Sequence, residues 1–179
     1  MKGHRRAKAI AILLGLPLLA VALAFTYPYL KNISFFVYLL RQEPPVDLPV
    51  PVEGVEPSQL EDTWGASRNE GRSHEGIDIF APRGTPVRST TRGVVVKRGL
   101  NRLGGKRVLV FGPGGWLHYY AHLEAWADWQ VGDRVEVGTI LGTVGDSGNA
   151  RGTPPHLHYG IYGSGGKARN PYPLLAVTP

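Results

Sequence analysis

Short apolar runs separated by glycine and proline fill the chain from about residue 60 onward. The runs are rich in β-branched and aromatic residues, and turn signals such as Pro82-Arg83-Gly84 and Pro113-Gly114-Gly115 separate them. This spacing is typical of an antiparallel β sandwich or barrel. The pattern predicts eight strands, at residues 76–80, 86–89, 93–97, 107–111, 116–122, 134–137, 140–144 and 157–162. Residues 124–130 are expected to form one helical turn.

The N-terminal pattern is different, because a basic stretch precedes an apolar one. Four basic residues lie among the first nine, and residues 10–25 carry no charge. As a helix this run would span about 24 Å, slightly less than a hydrocarbon core of about 30 Å. A signal peptide ending near residues 22–24 and an uncleaved anchor over residues 10–30 both fit. The anchor is preferred because Tyr27 and Tyr29 suit a membrane interface, and in either case the rest of the chain is exported.

A second apolar run at residues 33–40 is too short to span a bilayer. Five prolines then fall within residues 42–57. Proline-rich segments are extended at about 3.1 Å per residue, so this one predicts a semi-rigid spacer of roughly 50 Å that carries the folded domain away from the membrane. We therefore divide the chain into a signal or anchor with its juxtamembrane segment (1–41), a linker (42–59) and a β domain (60–179).

Composition limits the chemistry that the β domain could perform. The 179 residues include no cysteine, which excludes a disulfide scaffold, a cysteine zinc site and thiol catalysis. Any metal ion must be held by histidine and carboxylate ligands. The net charge of +6 is modest and no nucleic-acid-binding motif is present, so neither DNA nor RNA is an expected partner.

One candidate ligand pair is His74 and Asp78, four residues apart. In a straight strand the two would be separated by about 13 Å, too far to share an ion. Gly76 lies between them and permits a bend that would close this gap. Taken alone, the motif is more often a solvent-facing loop histidine followed by a turn aspartate.

A second candidate is the pair His156 and His158, which flanks Leu157. Alternate residues of a strand face the same side, so both imidazoles would share one face while Leu157 points into the core. His122 belongs to a third stretch. A catalytic zinc site needs three protein ligands and one open position, and two histidines with one carboxylate meet this need without cysteine.

These stretches resemble the lysostaphin/LytM-type zinc endopeptidases, which cut peptide bonds in bacterial peptidoglycan. The resemblance covers about residues 64–162, in the same order along the chain. Three motifs carry it: Ser73-His74-Glu75-Gly76-Ile77-Asp78, Tyr120-Ala121-His122-Leu123 and Pro155-His156-Leu157-His158.

The resemblance implies a mainly β, lysostaphin-type (duplicated hybrid motif) domain and one Zn²⁺ held by His74, Asp78 and His158. It also implies that His122 and His156 are catalytic histidines outside the metal shell. One would take the proton of a metal-activated water, and the pair would stabilise the oxyanion and protonate the leaving amine. The substrate would be a peptidoglycan peptide, and the chain would act in the bacterial cell envelope, anchored at the inner membrane with its catalytic domain outside.

Two departures from the family pattern are visible. Gly160 stands where many relatives have glutamate, so a side chain expected to support the site is in doubt, and Thr153-Pro154-Pro155 replaces the usual approach to the last motif. Tyr120 and Tyr159 are then the candidates for orienting the imidazoles. Which peptide bond is cut stays open.

Two other functions compete with the peptidase. One is a non-enzymatic envelope regulator or scaffold with the same fold, but all five site positions are filled. The other is a biotinyl or lipoyl carrier domain, which needs a modified lysine at a hairpin tip in a Met-Lys-Met or Asp-Lys-Ala context. The only methionine is Met1 and no lysine follows an aspartate, so a carrier is not expected.

Overall fold

A computed structural model describes residues 17, 19–27, 29–68, 71–163 and 165–176. Within them nine strands form one antiparallel sheet, which confirms the predicted antiparallel β class. The strands are β1 (Ile77–Phe80), β2 (Pro86–Arg88), β3 (Gly93–Asn101), β4 (Gly105–Phe111), β5 (Leu117–Trp126), β6 (Arg134–Val135), β7 (Ile140–Val144), β8 (His156–Tyr162) and β9 (Ala168–Arg169).

The strands are ordered β1-β8-β5-β4-β3-β6, while β7 pairs with both β2 and β5, and β9 pairs with β8. Residues 17, 19–27 and 29–30 are helical, and the other helices of the described residues are α1 (Ile33–Leu40) and α2 (Tyr172–Leu175). Single 3₁₀ turns lie at Pro57–Gln59, Pro113–Gly115 and Gly148–Ala150.

All eight predicted strands are present with ends that move by a few residues, and β9 is an addition. The helical turn predicted at residues 124–130 is wrong, because β5 continues through Trp126. Ala125 lies opposite Thr143 of β7, and the indole N–H of Trp126 donates to the carbonyl of Arg107 at 3.2 Å. Pairing with two neighbouring strands therefore outweighs the weak helical tendency of this stretch.

The alternation of apolar and polar residues in β1 and β8 separates the core from the site. Ile77, Ile79 and Leu157 are at most 2% exposed and belong to the hydrophobic core. Asp78 and the two histidines of β8 alternate with them along the strands and line the cavity described below. One face of each strand therefore packs in the core, and the other face carries the candidate site residues that line the cavity.

The N-terminal region is described only in part. Residues 10–16, 18 and 28 of the predicted anchor, together with the basic stretch 1–9, lie outside the described residues. Within the described residues, no helix combines the length and the hydropathy that a membrane crossing requires.

The helix α1 is attached to the sheet through the residue that precedes it. The Asn32 amide donates to the carbonyl of Gly132 at 2.6 Å and accepts from Arg134 Nε at 2.7 Å. Phe36 of α1 packs edge-on against Phe111 of β4, with ring centroids 5.2 Å apart. The second apolar run therefore packs on the domain.

The proline-rich segment also packs on the domain, so the prediction of a free spacer of roughly 50 Å is wrong. Leu48 is 8% exposed and Val52 is 1% exposed, and both belong to the core. The N–H of Leu48 donates to the carbonyl of Leu174 at 2.8 Å. Leu48, Val50 and Val52 alternate along the extended backbone, so the segment has an apolar face that the domain buries.

Replacing Leu48 with alanine tests this packing. Because the side chain is buried, we expect Leu48→Ala to lower the free energy of unfolding by about 2–3 kcal/mol in a urea titration. Val46 is 80% exposed on the same segment, so Val46→Ala should change it by less than about 0.5 kcal/mol. Equal effects of the two substitutions would show that the segment is free in solution.

Candidate metal centre

His74, Asp78 and His158 each bring one ligand-type atom to a common point. Nε2 of His74 lies 2.8 Å from Nδ1 of His158, and Oδ1 of Asp78 lies 3.1 Å from each of these nitrogens. Three ligands of a tetrahedral zinc ion, at about 2.0–2.1 Å from the metal, stand about 3.3 Å apart. The cluster is therefore close to the size that such an ion requires. It is also the one group of three ligand-type side chains found among the described residues.

The pairing of β1 with β8 places two of these side chains. Asp78 lies directly opposite His158 in the register, and His74 precedes β1 in a loop. Gly76 packs against the imidazole of His158, because a Cβ added there would lie 2.7 Å from Cε1 of His158. The bend expected at Gly76 is present, and the missing side chain also makes room for a candidate ligand ring.

The tautomer of His74 and the ionisation of Asp78 suit a cation. The Nδ1–H of His74 donates to the carbonyl of Thr63 at 2.7 Å, which leaves a lone pair on Nε2. Burial raises the pKa of Asp78, but the hydrogen bonds and charges of His158 and His74 outweigh it and hold this pKa well below its ordinary value. Arg68 pairs with Oδ2 of the same carboxylate. Two imidazoles and one carboxylate are the protein ligands of many catalytic zinc sites, so the residues fit this ion.

Two further histidines lie beside this cluster. The ring centroid of His122 is 5.0 Å from that of His156 and 5.9 Å from that of His158. Nδ1 of His122 is 2.8 Å from the carbonyl of Ser147, and Nδ1 of His156 is 2.8 Å from the carbonyl of Pro154. With the N–H on Nδ1, both rings keep a lone pair on Nε2, where each could accept a proton.

His122 is held in an uncommon backbone conformation. Its φ is +61°, and no other non-glycine residue among those described has a positive φ. Its N–H donates to the carbonyl of Gly104 at 2.8 Å, and the Ser147 hydroxyl donates to the carbonyl of Leu123 at 2.8 Å. These two hydrogen bonds hold the backbone of His122 and position Ser147, whose carbonyl contacts the His122 ring. Burial lowers the pKa of His122 to about 4, against the opposing effect of the Ser147 carbonyl, so the imidazole is neutral at pH 7.

All five side chains predicted from sequence are largely buried and line one cavity of about 730 Å³. This volume is in the range of sites that bind small ligands or a few residues of a peptide. The remaining lining combines apolar residues, Leu103, Leu109 and Leu117 among them, with polar and aromatic ones: Arg68, Arg72, Asn101, Arg107, Tyr119 and Tyr162. The arrangement can therefore hold a metal ion, accept a peptide and transfer protons at two imidazoles.

The groups that orient the imidazoles are not the ones expected from sequence. Tyr120 and Tyr159 are fully buried, and both hydroxyls lie 2.8 Å from Oγ1 of Thr90 in the core. Tyr159 also lies 2.8 Å from Nδ1 of His118, a histidine outside the cavity. Neither tyrosine hydroxyl contacts a site imidazole, so that prediction is wrong.

Backbone carbonyls orient three of the site imidazoles instead, from Thr63, Ser147 and Pro154. Every residue has a carbonyl, so no sequence pattern could single out these three. Arg68, which pairs with Asp78, was also missed, since it precedes the ligand motif in a loop without periodicity.

A family model described as peptidase family M23 matches residues 72–171, which is more than half of the chain and includes all five site positions. The chain belongs to peptidase family M23. The predicted resemblance is thereby confirmed.

Individual relatives agree with this membership of the M23 family. An L-Ala–D-Glu endopeptidase of Bacillus subtilis is 45% identical over 124 residues, which cover 63% of this chain and 38% of the relative. A peptidoglycan DD-endopeptidase of Vibrio cholerae, ShyC, is 36% identical over 88 residues, 49% of this chain and 20% of the relative. The chain thus spans well under half the length of these relatives.

The fold is also that of solved M23 structures. The catalytic domain of lysostaphin from Staphylococcus simulans superposes with a TM-score of 0.59 at 30% identity, over 68% of this chain and 96% of that domain. The sheet is therefore lysostaphin-type, as the sequence motifs imply.

Metal content of variants tests the ligand set. We expect His158→Ala to lose zinc binding, because it removes the nitrogen that lies 2.8 Å from Nε2 of His74. His122→Ala should keep one zinc per chain, since its ring is held by the carbonyl of Ser147 outside the cluster. Titration calorimetry with Zn²⁺ on both variants gives the measurement. Wild-type zinc affinity in His158→Ala would refute the ligand assignment.

Proposed function

We propose that this M23 protein is a zinc-dependent endopeptidase that hydrolyses a peptide bond in peptidoglycan. The observation that carries the proposal is the convergence of two imidazoles and a carboxylate beside two further imidazoles, both oriented by backbone carbonyls, in one cavity. When bound, zinc lowers the pKa of a coordinated water and polarises the scissile carbonyl.

His122 and His156 are the residues of this chain that would transfer protons during the reaction. In the tautomer that these contacts require, both keep a lone pair on Nε2, since their Nδ1–H groups donate to backbone carbonyls. One Nε2 receives the proton of the attacking water and later returns it to the leaving amine. The other, with its ring 5.0 Å away, stabilises the negative charge that develops on the carbonyl oxygen when its Nε2 carries a proton.

The bond to test first is L-Ala–D-Glu. The relative at 45% identity is named for this bond, whereas the relative at 36% is a DD-endopeptidase. Arginines line the cavity here, which favours a substrate that carries carboxylates near the scissile bond.

The rival proposal, a non-enzymatic envelope regulator, predicts that site groups have been lost. Here the three candidate ligands and both accessory histidines are in place, so the enzyme is favoured.

We also propose that the chain acts outside the cytoplasmic membrane, with residues 10–30 as export signal or anchor. The helical residues 19–27 support this, because their apolar side chains are exposed, with Phe25 75% exposed and Leu19 57% exposed.

Digestion of purified peptidoglycan tests the peptidase. We expect the zinc-loaded protein to release muropeptides whose masses identify one cleaved peptide bond, and a chelator to stop the reaction. His122→Ala should keep its zinc and lose at least about 10²-fold in rate, since it removes a proton-transfer group. Release of no peptides by the zinc-loaded wild type would contradict the proposal.

A further inference from the structure

Two neighbouring strands form the cavity wall next to the candidate metal centre. Leu109 of β4 lies opposite Tyr119 of β5, and Arg107 stands two residues before Leu109 on the same face of β4. All three line the cavity, while the intervening Val108 is 1% exposed and belongs to the core. Arg107 is therefore a positively charged residue held on the cavity face of β4, where it pairs with Gly99 of β3 and where the β4–β5 register shifts.

Arg107 differs from other arginines of the domain in its partners. Arg68 pairs with Asp78, Arg83 pairs with Glu124, and Arg88 pairs with Glu53. No carboxylate among the described residues forms an ion pair with Arg107, and its Nε is buried without a hydrogen-bond partner. A half-buried guanidinium without an anion is a ready partner for one supplied by a ligand.

Tyr119 connects this arginine with the candidate metal centre. Burial raises the pKa of Tyr119, while the charge of Arg107 and hydrogen bonds from Asn101 and Arg107 oppose the rise. The Tyr119 ring lies 5.8 Å, centroid to centroid, from the ring of His158. One side chain thus separates the guanidinium of Arg107 from a candidate zinc ligand.

The two carboxylates that line the cavity in the described part of the chain have other partners, since Asp78 pairs with Arg68 and Glu75 is bonded to Tyr162. Gly160 lies opposite Tyr119 in the β5–β8 register, so β8 brings no side chain to this point. A larger residue would be crowded there, because a Cβ at Gly160 would lie 3.0 Å from the carbonyl of Glu75. The side chain of Glu75 is hydrogen-bonded to Tyr162, whose pKa is raised to about 12 by burial and by the charge of that carboxylate. A substrate carboxylate is therefore the natural complement of Arg107.

We propose that Arg107 is a specificity-determining residue that binds a free carboxylate on the substrate residue next to the scissile bond, with Tyr119 as its positioning residue. The inference rests on the proposed peptidase function and narrows it to acidic peptides. In an L-Ala–D-Glu peptide linked onward through the γ-carboxyl, the free α-carboxylate lies one carbon from the scissile nitrogen. A carboxylate so close to the scissile bond suits the position of Arg107, whose guanidinium is separated from the candidate ligand His158 by the side chain of Tyr119.

A pair of peptides that differ only in this group provides the test. One contains L-Ala–γ-D-Glu with a free α-carboxylate, and its twin carries a carboxamide there. We expect the wild type to cleave the carboxylate peptide with a kcat/KM about 10- to 100-fold higher. Arg107→Gln should lose this preference by slowing on the carboxylate peptide alone, with its rate on the carboxamide twin within about 3-fold of wild type.

The control variant is Lys97→Gln, which removes the same charge from an exposed position of β3 and should keep the preference. Equal losses on both peptides in Arg107→Gln would show a purely structural role and overturn the proposal. It is equally overturned if the wild type cleaves both peptides with no preference between them.

Titration calorimetry of both peptides to the zinc-loaded wild type and to Arg107→Gln separates this proposal from the peptidase proposal. Tighter binding of the carboxylate peptide by the wild type only, without turnover, would support the role of Arg107 and reject cleavage of this bond. Equal affinities would reject the role of Arg107, whatever the activity.

Discussion

The register between β1 and β8 is the constraint on which the site depends. It sets Asp78 directly opposite His158, and Gly76 leaves the space that the His158 ring occupies. A shift of one residue would turn Ile77 or Ile79 toward the cavity and Asp78 into the core. The apolar residues that alternate with the candidate ligands are among the most buried in the protein. Burial of the core and convergence of the candidate ligands are therefore enforced by the same pairing.

Backbone carbonyls provide the second constraint on the site, because they orient its imidazoles. Three imidazoles of the site lie with a ring nitrogen 2.7–2.8 Å from a main-chain oxygen, which fixes both tautomer and ring direction. A carbonyl cannot titrate or change rotamer, so this orientation does not depend on pH. His122 is restrained in the same way at its backbone. Its positive φ is maintained by hydrogen bonds to two carbonyls, from its N–H to Gly104 and from its ring to Ser147. The proposed proton-transfer groups are thus fixed before any substrate arrives.

Much of this fold follows from local sequence, because glycine and proline mark its turns and β-branched runs mark its strands. The five site residues could also be found, since their types and spacing suit metal and proton chemistry and match an M23 pattern. What could not be predicted depends on tertiary contacts. The prolines at residues 42–57 indicate an extended backbone, but only the packed domain shows that Leu48 and Val52 are buried against it. Likewise, Tyr120 and Tyr159 sit next to site motifs in sequence, yet their hydroxyls bond Thr90 in the core.

The central claim is that one ion is held by two imidazoles and one carboxylate while two other imidazoles stay outside its shell. X-ray absorption at the zinc edge of the zinc-loaded wild-type protein tests it most directly, because imidazole ligands give distinct multiple scattering. The account predicts two imidazole nitrogens and two oxygens at about 2.0–2.1 Å. A shell with three or more imidazoles would place His122 or His156 on the metal and contradict the account.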